Sequence, residues 1–80
     1  MWVLTENGRL INLDHFYVLE VAGPQNEPVV VAHGEPDISA VLCSCDNEEH
    51  GTEIVQHIAD ALESGVKLYD IRSPWRSARW

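Results

Sequence analysis

The 80-residue chain is long enough for one small domain, and its 45% hydrophobic and 22% charged residues are typical of a folded protein rather than a disordered one. The formal net charge of −8 disfavours general binding to nucleic acid or to an anionic membrane, because both are bound through basic patches. Apolar runs such as 29–32 and 40–43 are far shorter than the ~20 residues that a membrane-spanning helix needs.

The hairpin at the start of the chain carries the clearest local signal. Asn7-Gly8 predicts a two-residue turn of the primed type, because that turn needs a positive φ that this dipeptide adopts at low cost. The turn joins a predicted strand over residues 2–5 to one over residues 9–13. The pattern is then interrupted at Asp14-His15, where Asp14 follows Asn12 and fits a local turn between side chain and backbone.

The next part of the chain has the pattern of further strands. Residues 16–21 are rich in aromatic and β-branched side chains, and Val29, Val30 and Val31 are apolar on both faces, as in a strand inside a sheet. The predicted strands here are 16–21, 29–33 and 38–45, separated by turn-forming residues at 22–27 and 34–37.

From residue 46 the period changes to that of a helix. One face is apolar and the opposite face is polar; the apolar residues are Ile54, Val55, Ile58, Ala61 and Leu62. Asp46 and Thr52 are both candidate helix starts, and Gly65 is placed to end the helix in the left-handed conformation. Residues 66–71 then fit a last short strand.

These segments predict an α+β fold, in which an antiparallel β-meander or small roll of four to five strands is packed by one amphipathic C-terminal helix. Residues 1–72 form a single domain in this prediction. Residues 73–80 form an irregular tail that is rich in tryptophan and arginine.

The opening segment Trp2-Val-Leu-Thr-Glu-Asn-Gly-Arg-Leu-Ile-Asn-Leu-Asp14, followed by hairpin strands, a helix and Leu68-Tyr-Asp-Ile-Arg72, resembles a group of small uncharacterised prokaryotic and phage proteins. Members of that group share the Gly-x-Leu-Ile-Asn-Leu-Asp type start and a β-rich body closed by a helix. The resemblance spans about residues 2–72 and implies the fold. It implies no activity, because the group has none assigned.

Cys43, Cys45 and His50 are the sharpest candidates for chemistry, since thiolate and imidazole are the ligands that zinc prefers. Asp46, His33 or His57 would supply a fourth ligand. The simpler interpretation is that Cys43 and Cys45 continue the face begun by Val41 and pack as small buried hydrophobic residues. A cysteine nucleophile is disfavoured, because the acidic residues nearby in sequence would raise the thiol pKa.

Trp75, Arg76, Arg79 and Trp80 are the second unusual feature, because tryptophan and arginine are enriched at interaction hot spots. They predict a partner-binding segment. The alternative is that Trp75 covers an edge of the core while the following residues fray. The charges agree with a partner: residues 1–66 carry a net −11 and residues 67–80 a net +3, so the tail suits its own acidic body or that of a neighbouring subunit.

The sequence therefore predicts a non-catalytic interaction or structural module that self-associates, through a sheet edge or the tail, or binds a protein partner. No cofactor is expected, and a zinc-binding domain using Cys43, Cys45 and His50 is the alternative. An enzyme comes third, because no polar constellation at productive spacing and no phosphate loop is visible. The absence of a secretory signal and the two expected free thiols favour the cytoplasm.

Overall fold

The structure, a computed structural model, describes residues 1–72. The predicted tail and its candidate residues Trp75, Arg76, Arg79 and Trp80 therefore lie outside the described residues.

The first hairpin forms as expected but with a wider turn. Strand β1 (Trp2–Leu4) pairs antiparallel with β2 (Leu10–Asn12), and Leu4 lies opposite Leu10. The turn is five residues long rather than two.

Thr5 is the reason for the wider turn. Its side-chain oxygen accepts a hydrogen bond from the backbone N–H of Arg9 at 2.9 Å, and its carbonyl accepts one from Gly8 at 3.0 Å. Gly8 has the predicted positive φ, at +86°. Because Thr5 is only 1% exposed, the turn is closed by a buried side chain that the Asn-Gly pattern does not reveal.

A 3₁₀ turn over Leu13–His15 follows β2, and the side chain of Asn12 caps it by accepting a hydrogen bond from Asp14 N. The chain then forms an antiparallel meander of three strands with the order β3-β4-β5. The strands are β3 (Phe16–Ala22), β4 (Val29–Gly34) and β5 (Ile38–Ser44). The predicted meander is thereby confirmed.

Helix α1 (Glu48–Glu63) packs on one face of this meander through Ile54, Ile58 and Ala61, which are all buried. Its cap is Asn47, whose side chain accepts a hydrogen bond from His50 N at 2.8 Å. The helix therefore starts between Asp46 and Thr52, the two starts that the sequence predicts. Gly65 has φ +76° just after the helix, as predicted.

A sixth strand follows the helix. Strand β6 (Leu68–Asp70) pairs parallel with β1, so that β1 is the centre of a second sheet with the order β2-β1-β6. We call this sheet A and the meander sheet B. The described residues thus form an α+β fold with six strands in two sheets rather than four or five in one, and β6 confirms the short strand predicted after the helix at 66–71.

The core lies where the two sheets and the helix meet. Its fully buried large side chains come from every layer: Val3 and Tyr69 from sheet A, Val30 and Leu42 from sheet B, and Ile54 and Ile58 from the helix. Within residues 1–72, no helix is long and apolar enough to cross a membrane.

Candidate functional site

A bulge in β5 determines where the two cysteines point. Val30 pairs with Cys43 and Val31 pairs with Val41, so Leu42 is the extra residue on its strand. Because of this extra residue, the side chains that follow it point to the opposite face of the sheet from the one that regular alternation would give. Val41 is therefore 52% exposed while Leu42 and Cys43 are buried, and the expectation that Cys43 continues the face of Val41 is wrong.

Cys43 and Cys45 lie close enough for each thiol to influence the pKa of the other, and Sγ of Cys45 lies beneath the helix at Gly51. Cys43 is buried and Cys45 is half-buried, and both are free thiols. Burial, with a smaller effect from neighbouring charges, raises the pKa of Cys43 to about 12, and burial also raises the pKa of Cys45. Both thiols therefore stay protonated at neutral pH, which suits core residues better than nucleophiles.

His50, the third residue of the predicted zinc set, has a different role. Its Nδ1 accepts a hydrogen bond from the backbone N–H of Asp46 at 3.0 Å, at the start of α1. The imidazole therefore holds the chain as it enters the helix. In the part of the chain that the structure describes, no group of three or more His, Cys, Asp or Glu side chains is arranged to hold a metal ion.

The buried thiol predicts a loss of stability at high pH. The pKa of Cys43 is about 12 in the folded protein against an ordinary 9.0, so above pH 9 the unfolded chain loses the thiol proton while the folded protein keeps it. The contribution of the thiol to the free energy of unfolding is therefore complete below pH 9 and is lost as the pH rises through 12. The phenol of Tyr69, whose pKa burial raises to about 12 from 10.0, acts in the same direction. In urea titrations at about pH 8 and about pH 11, we expect Cys43→Ala to reduce the pH-dependent loss by on the order of 2 kcal/mol. An equal loss in both proteins would show that the thiol is not buried.

A polar chain on the outer face of sheet B was not visible in the sequence. Ser39 Oγ lies 2.9 Å from Nδ1 of His33, and Nε2 of the same ring contacts the carboxylate of Glu20. The three residues come from three adjacent strands. The register explains this, because His33 lies directly opposite Ser39 and next to the strand that carries Glu20.

This arrangement has the composition of a serine hydrolase triad but lacks its surroundings. The side chains of His33 and Glu20 are 38% and 50% exposed on an open sheet face. Acyl transfer needs a site that excludes water, and side chains as exposed as these two are not shielded from it. We therefore interpret the three residues as a cross-strand polar ladder, worth a few tenths to about 1 kcal/mol for each pair.

The two edges of sheet B differ in a way that matters for association. The C-terminal end of the β5 edge is covered by Glu6, whose N–H donates to the carbonyl of Leu42 at 2.8 Å. The Glu6 carboxylate in turn accepts hydrogen bonds from the N–H and hydroxyl of Ser44, at 3.2 and 3.0 Å. Unpaired backbone groups at the end of β5 are therefore satisfied within the chain.

The edge of β3 has no such cover. Strand β3 pairs with β4 on one side, and no other strand within residues 1–72 pairs with its second side. Its sequence, Phe-Tyr-Val-Leu-Glu-Val-Ala, contains no lysine or proline. Tyr17 and Val18 are 71% and 49% exposed. An open groove of about 290 Å³ runs beside this edge, and its lining consists of Leu13, Asp14, Phe16, Tyr17, Val18, Leu19 and Leu62.

No protein-family model, no curated protein and no solved structure matches the chain. The resemblance of the opening segment to small prokaryotic and phage proteins therefore stays a prediction.

Proposed function

We propose that the protein is a non-catalytic interaction module that self-associates by pairing its free β3 edge with the β3 edge of a second copy. The single observation that carries this proposal is the contrast between the two edges of sheet B. Glu6 covers the C-terminal end of the β5 edge, at Leu42 and Ser44, whereas the seven-residue β3 edge has neither a partner strand in residues 1–72 nor a lysine or proline to discourage one.

Length supports β3 over the edges of sheet A. In sheet A the edge strands β2 and β6 have three residues each, which offers few backbone groups for pairing. Strand β3 has seven residues. Two copies of β3 that pair antiparallel about a twofold axis form a closed dimer, since the same surface is used on both sides. The result is one continuous six-stranded sheet.

Side chains beside the edge favour the same pairing. On the inner face, the groove beside Phe16, Leu19 and Leu62 would be covered by the second copy of β3. Tyr17, the extra residue of a register shift in β3, and Val18 also line this groove. Val18 on the outer face would pack against residues of the opposite strand, which lie about 4.5–5.5 Å away between Cβ atoms in paired strands. Burial of these half-exposed apolar side chains would drive the association.

Charge limits how tight the dimer is. Residues 1–72 contain all thirteen acidic residues against Arg9, Lys67 and Arg72, a net charge of −10, so the two copies repel each other. We therefore expect a concentration-dependent dimer rather than an obligate one. Two free thiols, one of them buried, are compatible with the proposed cytoplasmic location, and a second copy or another protein is the proposed partner.

Val18→Asp tests the proposal. An aspartate at position 18 meets its own copy if the twofold axis lies at residue 18 and meets Glu20 if the axis lies at residue 19. An axis at residue 20 would place Glu20 opposite its own copy even in the unmodified chain, so the substitution adds like-charge repulsion in both of the other registers. We expect the dissociation constant of the dimer, measured by sedimentation velocity, to rise by on the order of tenfold or more, since each 1.4 kcal/mol corresponds to a factor of ten.

Val41→Asp is the matched control. Val41 is 52% exposed, as Val18 is 49% exposed, and it lies on the same outer face of sheet B but on β5, at the opposite side of the sheet from the β3 edge. The control carries the same charge and the same unfavourable strand propensity. Equal dissociation constants for Val18→Asp and the unmodified chain, or equal weakening by both substitutions, would rule out pairing through β3.

A further inference from the structure

Sheet A has an apolar outer face that is separate from the β3 edge. Val3 and Tyr69 point inward and are fully buried, so their neighbours along β1 and β6 point outward. Trp2 lies beside Leu68 on this outer face, and Leu4 lies beside Leu10. Trp2, Leu10 and Leu68 are 46%, 56% and 55% exposed. We call Trp2, Leu4, Leu10 and Leu68 the sheet A face.

Residues 73–80 leave the described structure at the border of this face. Strand β6 is an edge strand of sheet A, and the chain continues from it through Arg72. Asp70 alternates to the same side as Leu68, and its carboxylate accepts hydrogen bonds from the backbone N–H and the guanidinium of Arg72, at 3.0 and 3.1 Å. The chain is thus fixed beside the sheet A face at the point where residues 73–80 begin.

We propose that residues 73–80 dock on the sheet A face of their own chain, with Trp75 and Trp80 covering its exposed leucines. Adjacent strands lie about 4.8 Å apart, so β2 is ~10 Å from β6, and an extended chain covers that distance in about three residues. Trp75 follows Arg72 by three residues. Each tryptophan can bury roughly 150–250 Å² on such a surface.

Charge and tethering select the chain's own segment over a second copy. Residues 73–80 carry Arg76 and Arg79 and no acidic residue, against a net charge of −10 over residues 1–72. A segment tethered at the face has an effective concentration on the order of millimolar, well above that of a second copy in dilute solution. Two acidic bodies also repel each other, whereas this basic segment is attracted to its own body.

Quenching of tryptophan fluorescence, excited selectively over tyrosine, tests the docking in the 80-residue chain carrying Trp2→Phe, because Trp75 and Trp80 are then its only tryptophans. We expect the acrylamide quenching constant to be about half that of the free peptide 73–80 and independent of protein concentration, since docked indoles are shielded from solvent. Adding Leu10→Ser or Leu68→Ser should return the constant to that of the peptide, while circular dichroism shows that the fold is retained.

Leu62→Ser is the matched control, because Leu62 is 46% exposed but lies on α1 beside the β3 groove. It should leave the quenching constant unchanged. Quenching as fast as in the free peptide overturns the proposal, and so does shielding that survives both sheet A substitutions. Shielding that is lost with Leu62→Ser, or that develops only as the protein concentration rises, also overturns it, because the indoles would then be covered elsewhere or by a second copy.

Discussion

Replacing Ile58 with alanine is expected to lower the free energy of unfolding by about 3–4 kcal/mol. Ile58 is fully buried where the helix packs against sheet B, and alanine would leave a cavity that the surrounding strands cannot fill. A domain of this size has a total stability of roughly 4–12 kcal/mol, so the change removes a large share of it. Urea unfolding followed by circular dichroism measures the difference.

Ile38→Ala is the control for this prediction, because Ile38 is 49% exposed at the start of β5. The same atoms are deleted, but much of the side chain is already in water, so the loss should stay below about 1 kcal/mol. Similar losses for the two variants would contradict the placement of α1 on the meander.

Gly34→Ala is expected to cost about 2–3 kcal/mol for a different reason. A Cβ at position 34 would lie 2.5 Å from the carbonyl oxygen of His15 and 3.4 Å from Cδ1 of Phe16. The carbonyl belongs to the backbone where the 3₁₀ turn enters β3, so it cannot rotate away, and overpacking of this kind typically costs about 1–3 kcal/mol. Thermal unfolding of the variant measures the loss.

Gly8→Ala is the comparison for this steric effect, because it changes stability only through the backbone conformation. Gly8 has φ +86° and open space around it, so alanine there should cost about 1–2 kcal/mol of conformational strain and no clash. Gly34→Ala should also displace Phe16 and with it the start of the β3 edge, so it should weaken the dimer while Gly8→Ala does not. A dimer that is unaffected by Gly34→Ala would argue against the role of Phe16 at that edge.

Local signals in the sequence predicted the local parts of the fold. Asn7-Gly8 located the first hairpin, the apolar period from Ile54 to Leu62 located the helix, and Gly65 located its end. Each of these depends on a few neighbouring residues, and short-range φ preferences and periodicity are sufficient to determine them.

Features that depend on distant pairing could not be predicted in the same way. Strand β6 pairs with β1 across more than sixty residues, and the bulge at Leu42 shifts Cys43 to the buried face. A register shift of one residue exchanges the two faces of a strand, so no count of alternate positions along β5 alone could place the cysteines.

The candidate site was harder to predict for the same reason. The ladder of Glu20, His33 and Ser39 becomes visible only once three strands are aligned, although polar residues at positions 20, 33 and 39 were a weak signal. The covering of β5 by Glu6 joins residues that are far apart in the chain. A free sheet edge was expected in general terms, but which edge is free depends on that contact.

Hydrogen exchange of the β3 amides at low and high protein concentration tests the central claim most directly. Backbone N–H groups on the open side of an edge strand exchange quickly unless another strand pairs with them. Pairing of β3 with a second copy predicts that about half of its amides, those on the open side, become protected as the concentration rises, while β5 amides do not change. Exchange of the β3 amides at a rate independent of concentration would contradict self-association through this edge.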